Sequence, residues 1–162
     1  MLPCTYAEAR KARGVHRRND VGGWTAKREQ LEAGWTFIGS GHSRHAYLAP
    51  SGVVYKVGWT GSNKAEHEAA TIMRSANHPF IGVPETRYYD TLGVLAMQYI
   101  EGTPGIPDDG RRKFEAAIKK FGCIDWWYLN FIYDGTKLWM IDLGEFADGS
   151  MSGLAEQVAK IK

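Results

Sequence analysis

Long apolar runs, cysteine and a strong charge of either sign are all scarce in this chain. No apolar stretch approaches the roughly 20 residues that cross a bilayer, and Met1 to Gly14 lacks the apolar core of a signal peptide. A cytosolic protein with no membrane partner is therefore expected. Two cysteines, Cys4 and Cys123, supply neither a disulfide framework nor metal-ligand spacing, and read as thiols in a reducing compartment. A net charge of +2 is too mild to imply affinity for nucleic acid or a lipid surface. Repeats and low-complexity tracts are absent as well. What the chain does have is apolar content: 44% of 162 residues is enough for a real core, so one compact unit with room for two lobes is expected.

Thr5 to Arg18 carries Arg10, Lys11, Arg13, Arg17 and Arg18 with few large apolar residues. It reads as a solvated helix or arm; a phosphate-contacting arm is the alternative, but charge runs are more often exposed faces. Asn19 to Gly23 reads as a loop, and Thr25 to Ala33 as a helix ended by Gly34. Residues 1–34 are thus expected to form a helical N-terminal extension.

From Trp35 the pattern turns to short β-like runs. Trp35–Ile38, Tyr47–Ala49 and Val53–Val57 are joined by Gly39-Ser40-Gly41-His42-Ser43-Arg44-His45-Ala46 and Pro50-Ser51-Gly52. Glycines in the first turn would let backbone amides approach phosphate oxygens, because consecutive N–H groups form an anion-binding concavity. Lys56, on the strand after that turn, is placed to pair with ligand phosphates. Asn63 to Ser75 follows as a helix, capped by Ser62 or Asn63, with Ala65, Ala69, Ile72 and Met73 at helical spacing. Glu66 or Glu68 in its first turns could hold the Lys56 ammonium, and either could also simply favour the positive end of the helix dipole. Thr86–Tyr89 and Val94–Ile100 complete a five-stranded antiparallel sheet with one packed helix, an α+β unit over residues 35–102.

Residues 103–162 read as a short, mostly helical second lobe that carries a hairpin. Arg111 to Phe121 is an amphipathic helix burying Phe114, Ala117, Ile118 and Phe121. Phe131-Ile132-Tyr133 and Lys137 to Ile141 flank the turn signal Asp134-Gly135. Such a hairpin returns Asn130 and Asp142 to neighbouring places, and Asp125 precedes Asn130 by five. Two carboxylates and an amide oxygen are hard donors suited to Mg²⁺ shared with substrate phosphates.

The order of these motifs, from Phe37 to Phe146, resembles the protein kinase-like superfamily. The resemblance implies ATP and Mg²⁺ as cofactors. Gly39, Ser40 and Gly41 would cover the phosphates, Lys56 would meet them, and Glu68, chosen by its distance from Asn77-His78-Pro79-Phe80, would orient Lys56. Met97 looks like the gatekeeper, and Gln98 and Tyr99 would offer hinge backbone groups to adenine. Asp125 looks like the catalytic base, with Asn130 and Asp142 on the metal. Arg44 and Ala46 depart from the usual glycine-rich loop, and Cys123-Ile124 replaces the His-Arg before the catalytic aspartate. Little sequence follows Gly144, and no Ala-Pro-Glu does, so the reduced second lobe implies a small hydroxyl acceptor or a protein partner that completes the platform. The expected activity is transfer of the γ-phosphoryl of ATP to a protein serine or threonine or to a small molecule. A catalytically weak nucleotide- or partner-binding module is the alternative.

Overall fold

The computed structural model describes residues 1–18, 24–26, 31–41, 44–122, 128–143 and 150–161. The protein belongs to the α+β class and divides into two compact units, Met1–His67 with Glu85–Tyr99 and Glu68–Pro84 with Ile100–Lys162.

The first unit opens with helix α1 (Tyr6–Gly14), whose N-terminus is capped by Thr5 Oγ1 accepting from Glu8 N at 3.1 Å. The expectation of a solvated arm fails here. Cys4, Ala9, Ala12 and Val15 are buried in one cluster with Tyr47, Val53, Tyr55, Val94 and Ala96. Small alanines on the inward face let the helix lie close to a sheet, while Arg10 and Lys11 point to water. The tyrosine beneath is tied to the same segment: Tyr55 Oη donates to Glu8 Oε2 at 2.7 Å and accepts from Thr5 N at 3.2 Å. Burial, reinforced by that Glu8 bond, raises the Tyr55 hydroxyl well above the ordinary phenol range.

Strand β1 (His16–Arg18) pairs antiparallel with β2 (Trp24–Ala26). The helix expected from Thr25 is therefore replaced at its start by a strand. Trp24 and Thr25 are of the aromatic and β-branched types that favour extended pairing, and residues 27–30 lie outside the described residues. The expected five-stranded antiparallel sheet is present. It comprises β3 (Thr36–Ser40), β4 (Arg44–Leu48), β5 (Val53–Gly58), β7 (Thr86–Tyr89) and β8 (Val94–Gln98), in the order β3-β4-β5-β8-β7. A bulge between Phe37 and Gly39 shifts the β3 register. Every residue of central β5 is buried. Val53, Tyr55 and Val57 join the cluster under α1, and period-two alternation sends Val54 and Lys56 to the opposite face.

Helix α2 (Thr60–Arg74) begins three residues before the expected start. Asn63 is consequently inside the helix and does not cap it. Its Nδ2 donates to the Lys56 carbonyl at 3.1 Å and to the Gly93 carbonyl at 2.8 Å, which satisfies an amide with no exposed surface. From Ala69 onward the helix contributes to the core of the second unit: Ala69, Ala70 and Met73 are buried, while Ala65 is exposed.

The second unit is less helical than expected. Alongside α3 (Arg111–Lys120) and α4 (Met151–Ala159) it holds a four-stranded sheet. Its members are β6 (Ile81–Gly82), β9 (Thr103–Pro104), β10 (Phe131–Tyr133) and β11 (Leu138–Met140), in the order β6-β11-β10-β9 with β6 and β11 parallel. Two-residue strands such as β6 and β9 leave no periodic signal in a sequence. Phe114, Ala117, Ile118 and Phe121 are buried as the spacing predicts, against Phe131, Leu138, Met140, Leu154 and Val158. The β10–β11 hairpin closes at Asp134 to Lys137, where Gly135 takes a φ of 96° that disfavours any side chain.

Candidate functional site

The chemistry read from the sequence falls into two sets, one in each unit. In the first unit the turn expected over residues 39–46 is shorter than read: Gly39 and Ser40 end β3, Arg44 to Ala46 begin β4, and Gly41 N donates to the Arg44 carbonyl at 2.9 Å. His42 and Ser43 lie outside the described residues. Neither Gly39 nor Gly41 has a left-handed φ, and a Cβ built on either would meet no atom within 4 Å. Backbone conformation and packing therefore do not demand these glycines. Ser40 is exposed between them.

Lys56 lies on β5 beside β4, registered with Ala46 on one side and with Leu95 of β8 on the other. It is 8% exposed, unusual for an ammonium unless paired. The pairing carboxylate is Glu66: Lys56 Nζ lies 2.7 Å from Oε1. This corrects the choice of Glu68. Positions 63, 66, 70 and 73 share the buried face of α2, whereas Glu68, two residues on and about 200° around the helix, is exposed. Arg44 donates from a guanidinium nitrogen to the other oxygen, Oε2, and also to Asn63 Oδ1 at 3.4 Å. Glu66 thus serves two cations, one per oxygen, with its side chain 2% exposed.

Met97 is buried on β8 in register with Val54, on the same face as Lys56. Ala46, Val54, Leu95 and Met97 make that face apolar around the ammonium. Gln98 departs from expectation in one respect. Its N–H donates to the Glu85 carbonyl at 2.8 Å and its Oε1 accepts from Glu85 N at 3.3 Å, so the β7–β8 edge already engages that hinge donor. Tyr99, the next residue, is exposed.

In the second unit the hairpin does for Asn130 what the sequence spacing anticipates. Asn130 ends a single 3₁₀ turn just before β10, and Ile141 N donates to the Asn130 carbonyl at 2.9 Å. The ladder therefore sets the backbone of Asn130 against the immediate neighbour of Asp142. Asn130 is buried and Asp142 half-buried. An amide oxygen and a carboxylate are hard donors, and their chemistry fits Mg²⁺. Asp125 lies outside the described residues, as does Gly144 of the Asp-Leu-Gly element. Among the described residues no three His, Cys, Asp or Glu side chains gather as a metal cluster, and no helix is long and apolar enough to cross a membrane.

Glu66 and Arg44 are the two residues whose roles the sequence reading misassigned or missed. The phase of α2, set by the apolar residues Ala69, Ala70 and Met73, contains the signal for Glu66. For Arg44 the only sequence cue is its place at the end of the glycine turn. No protein-family model matches the chain, and no curated protein matches it.

Proposed function

We propose that the protein is an ATP-dependent phosphotransferase of the protein kinase-like type, moving the γ-phosphoryl of ATP to a hydroxyl acceptor. The observation that carries this reading is the buried Lys56–Glu66 pair on the strand behind a glycine turn whose glycines the fold does not require. Burying an ammonium costs several kcal/mol of hydration even when it is paired, so a pair placed here invites a reason besides stability.

In this reading the phosphates pass close to the backbone at Gly39 to Gly41, where Gly41 N–H is already given to the Arg44 carbonyl, and the Lys56 ammonium, oriented by Glu66, pairs with the α- and β-phosphates. Met97 and the apolar face beside it receive the base. Asn130 and Asp142 would hold Mg²⁺, which when bound neutralises charge building between the β- and γ-phosphates. Asp125 accepts the proton of the acceptor hydroxyl. Positioning and electrostatics supply most of the acceleration in such chemistry.

Titration calorimetry with ATP, with and without Mg²⁺, tests the reading on the intact protein and on three variants. Lys56→Ala is expected to weaken nucleotide binding, and Asp142→Ala to remove its dependence on Mg²⁺. Asp125→Ala is expected to leave binding nearly intact and slow transfer by about 10²- to 10⁴-fold. No ATP binding by the unaltered chain, or equal effects of Asp125→Ala and Asp142→Ala, would count against it. Acceptors to assay are small hydroxylated molecules, generic protein substrates and the protein's own serines and threonines. A second reading, a module that binds nucleotide without transferring phosphate, is favoured by Cys123-Ile124 in place of His-Arg; full binding with no turnover on any acceptor selects it.

A further inference from the structure

Arg44 stands where the resemblance places the third glycine of the phosphate turn, and its surroundings give the substitution a purpose. It opens β4, and register pairs it with Gly58, while Ala46, two residues along the same face, pairs with Lys56. The guanidinium and the ammonium therefore rise from one face of neighbouring strands. Both reach Glu66, the ammonium at Oε1 and the guanidinium at Oε2. Arg44 also contacts Asn63 Oδ1, and Asn63 Nδ2 in turn holds the carbonyls of Lys56 and Gly93. One buried network thus joins the hairpin that carries the glycine turn, the strand that carries Lys56 and the helix that carries Glu66.

We infer that Arg44 is a positioning residue for phosphate binding: it locks the Glu66 carboxylate so that the glycine turn and the Lys56 ammonium are set by one joint. A carboxylate with a single cation can turn about its terminal torsion, which is broad and soft. Engaging its second oxygen with a planar guanidinium fixes the carboxylate plane, and with it the direction in which Oε1 holds Lys56. The side chain does for Glu66 what outer-shell partners do for metal-binding histidines. A guanidinium at the end of the turn also fastens the β3–β4 hairpin to α2, so the amides of Gly39 to Gly41 are held relative to the ammonium. The inference rests on the nucleotide reading above and deepens it.

The test compares Mg-ATP with adenosine, which shares the base and sugar but has no phosphate, by calorimetry on the unaltered chain, Arg44→Gln, Arg44→Lys, Glu66→Gln and the double variant Arg44→Gln/Glu66→Gln. Arg44→Gln is expected to weaken Mg-ATP by about tenfold, the lower end for losing an orienting partner, and to leave adenosine unchanged. Arg44→Lys, which keeps the charge without the planar fork, is expected to recover only part of the loss, and Arg44→Gln to add nothing once Glu66 is already Gln. Equal losses for Mg-ATP and adenosine, or additive effects in the double variant, overturn the joint while leaving the nucleotide reading standing. Binding of neither ligand by the unaltered chain overturns both.

Discussion

In the first unit, groups withdrawn from water find partners far along the chain: Lys56 reaches Glu66 ten residues on, Arg44 reaches it across 22, and Asn63 bonds a carbonyl 30 residues away. In the second unit buried His78 and exposed Asp134 find hydrogen-bond partners close by. His78 Nδ1 accepts from Phe80 N and Ile81 N at 3.2 and 3.3 Å, and Asp134 accepts from Thr136, Lys137 and Trp139 within five residues. A polar group capped by its own turn is explained by local backbone geometry, because the orphan donors there need an acceptor. A buried charge held by three elements has no such local cause, and that is why the first unit's network invites a functional reading and the second unit's turns do not.

The contrast can be broken most forcefully at Glu66. Glu66→Ala removes the carboxylate shared by two cations and is expected to cost about 3–5 kcal/mol in urea unfolding, whereas Lys56→Met leaves Arg44 on Glu66 and costs less. An equal loss from both would show that Glu66 is not shared.

A medium effect tests the helix that the sequence led us to expect in water. Ala9 and Ala12 are 0% and 1% exposed, so Ala12→Leu overfills the face against the sheet and is expected to cost about 1–3 kcal/mol. Arg10→Ala, on the exposed side, is expected to stay within about 0.5 kcal/mol. Matching small losses from both would return α1 to the solvent.

The second unit's local caps predict smaller, pH-dependent effects. Burial, with the nearby charges of Lys120 and Lys137, lowers the His78 pKa below its ordinary value. The unfolded chain then binds the extra proton first, so stability is complete above about pH 6.5 and falls as pH drops through that value. Thermal unfolding between pH 7.5 and 5.5 is expected to show this slope in the unaltered protein and to lose it in His78→Gln.

Asp134 should give the smallest effect. The slight desolvation of this exposed carboxylate would raise it, but donors from the Lys137 backbone, the Trp139 indole and the Thr136 backbone and hydroxyl together hold it well below the ordinary carboxylate range. Its contribution is therefore present above about pH 4 and lost as pH falls toward the folded value. Asp134→Ala is expected to cost about 1 kcal/mol at pH 7, and the gap to the unaltered protein should close in acid; a constant gap would mean the charge is irrelevant.

Periodicity and turn chemistry were enough to find the five strands of the first unit's sheet, though Gly39, Ser40 and Arg44 to Ala46, read as turn, belong to β3 and β4, and to find the buried face of α3 and the hairpin at Asp134-Gly135, because each is written in residues next to one another. The same local reading failed on α1, where basic residues masked an alanine face whose burial depends on a sheet formed 30 and more residues later. It failed on β6 and β9, which are strands only because β10 and β11 lie beside them. At the candidate site, the residue types and the positions of Lys56, Asn130 and Asp142 follow from the sequence. The choice of Glu66 over Glu68, and the placing of Arg44 on that same carboxylate, belong to the tertiary structure. A two-residue difference on a helix is a turn of about 200°, and which side faces Lys56 is settled by the apolar residues that fix the helix's rotation.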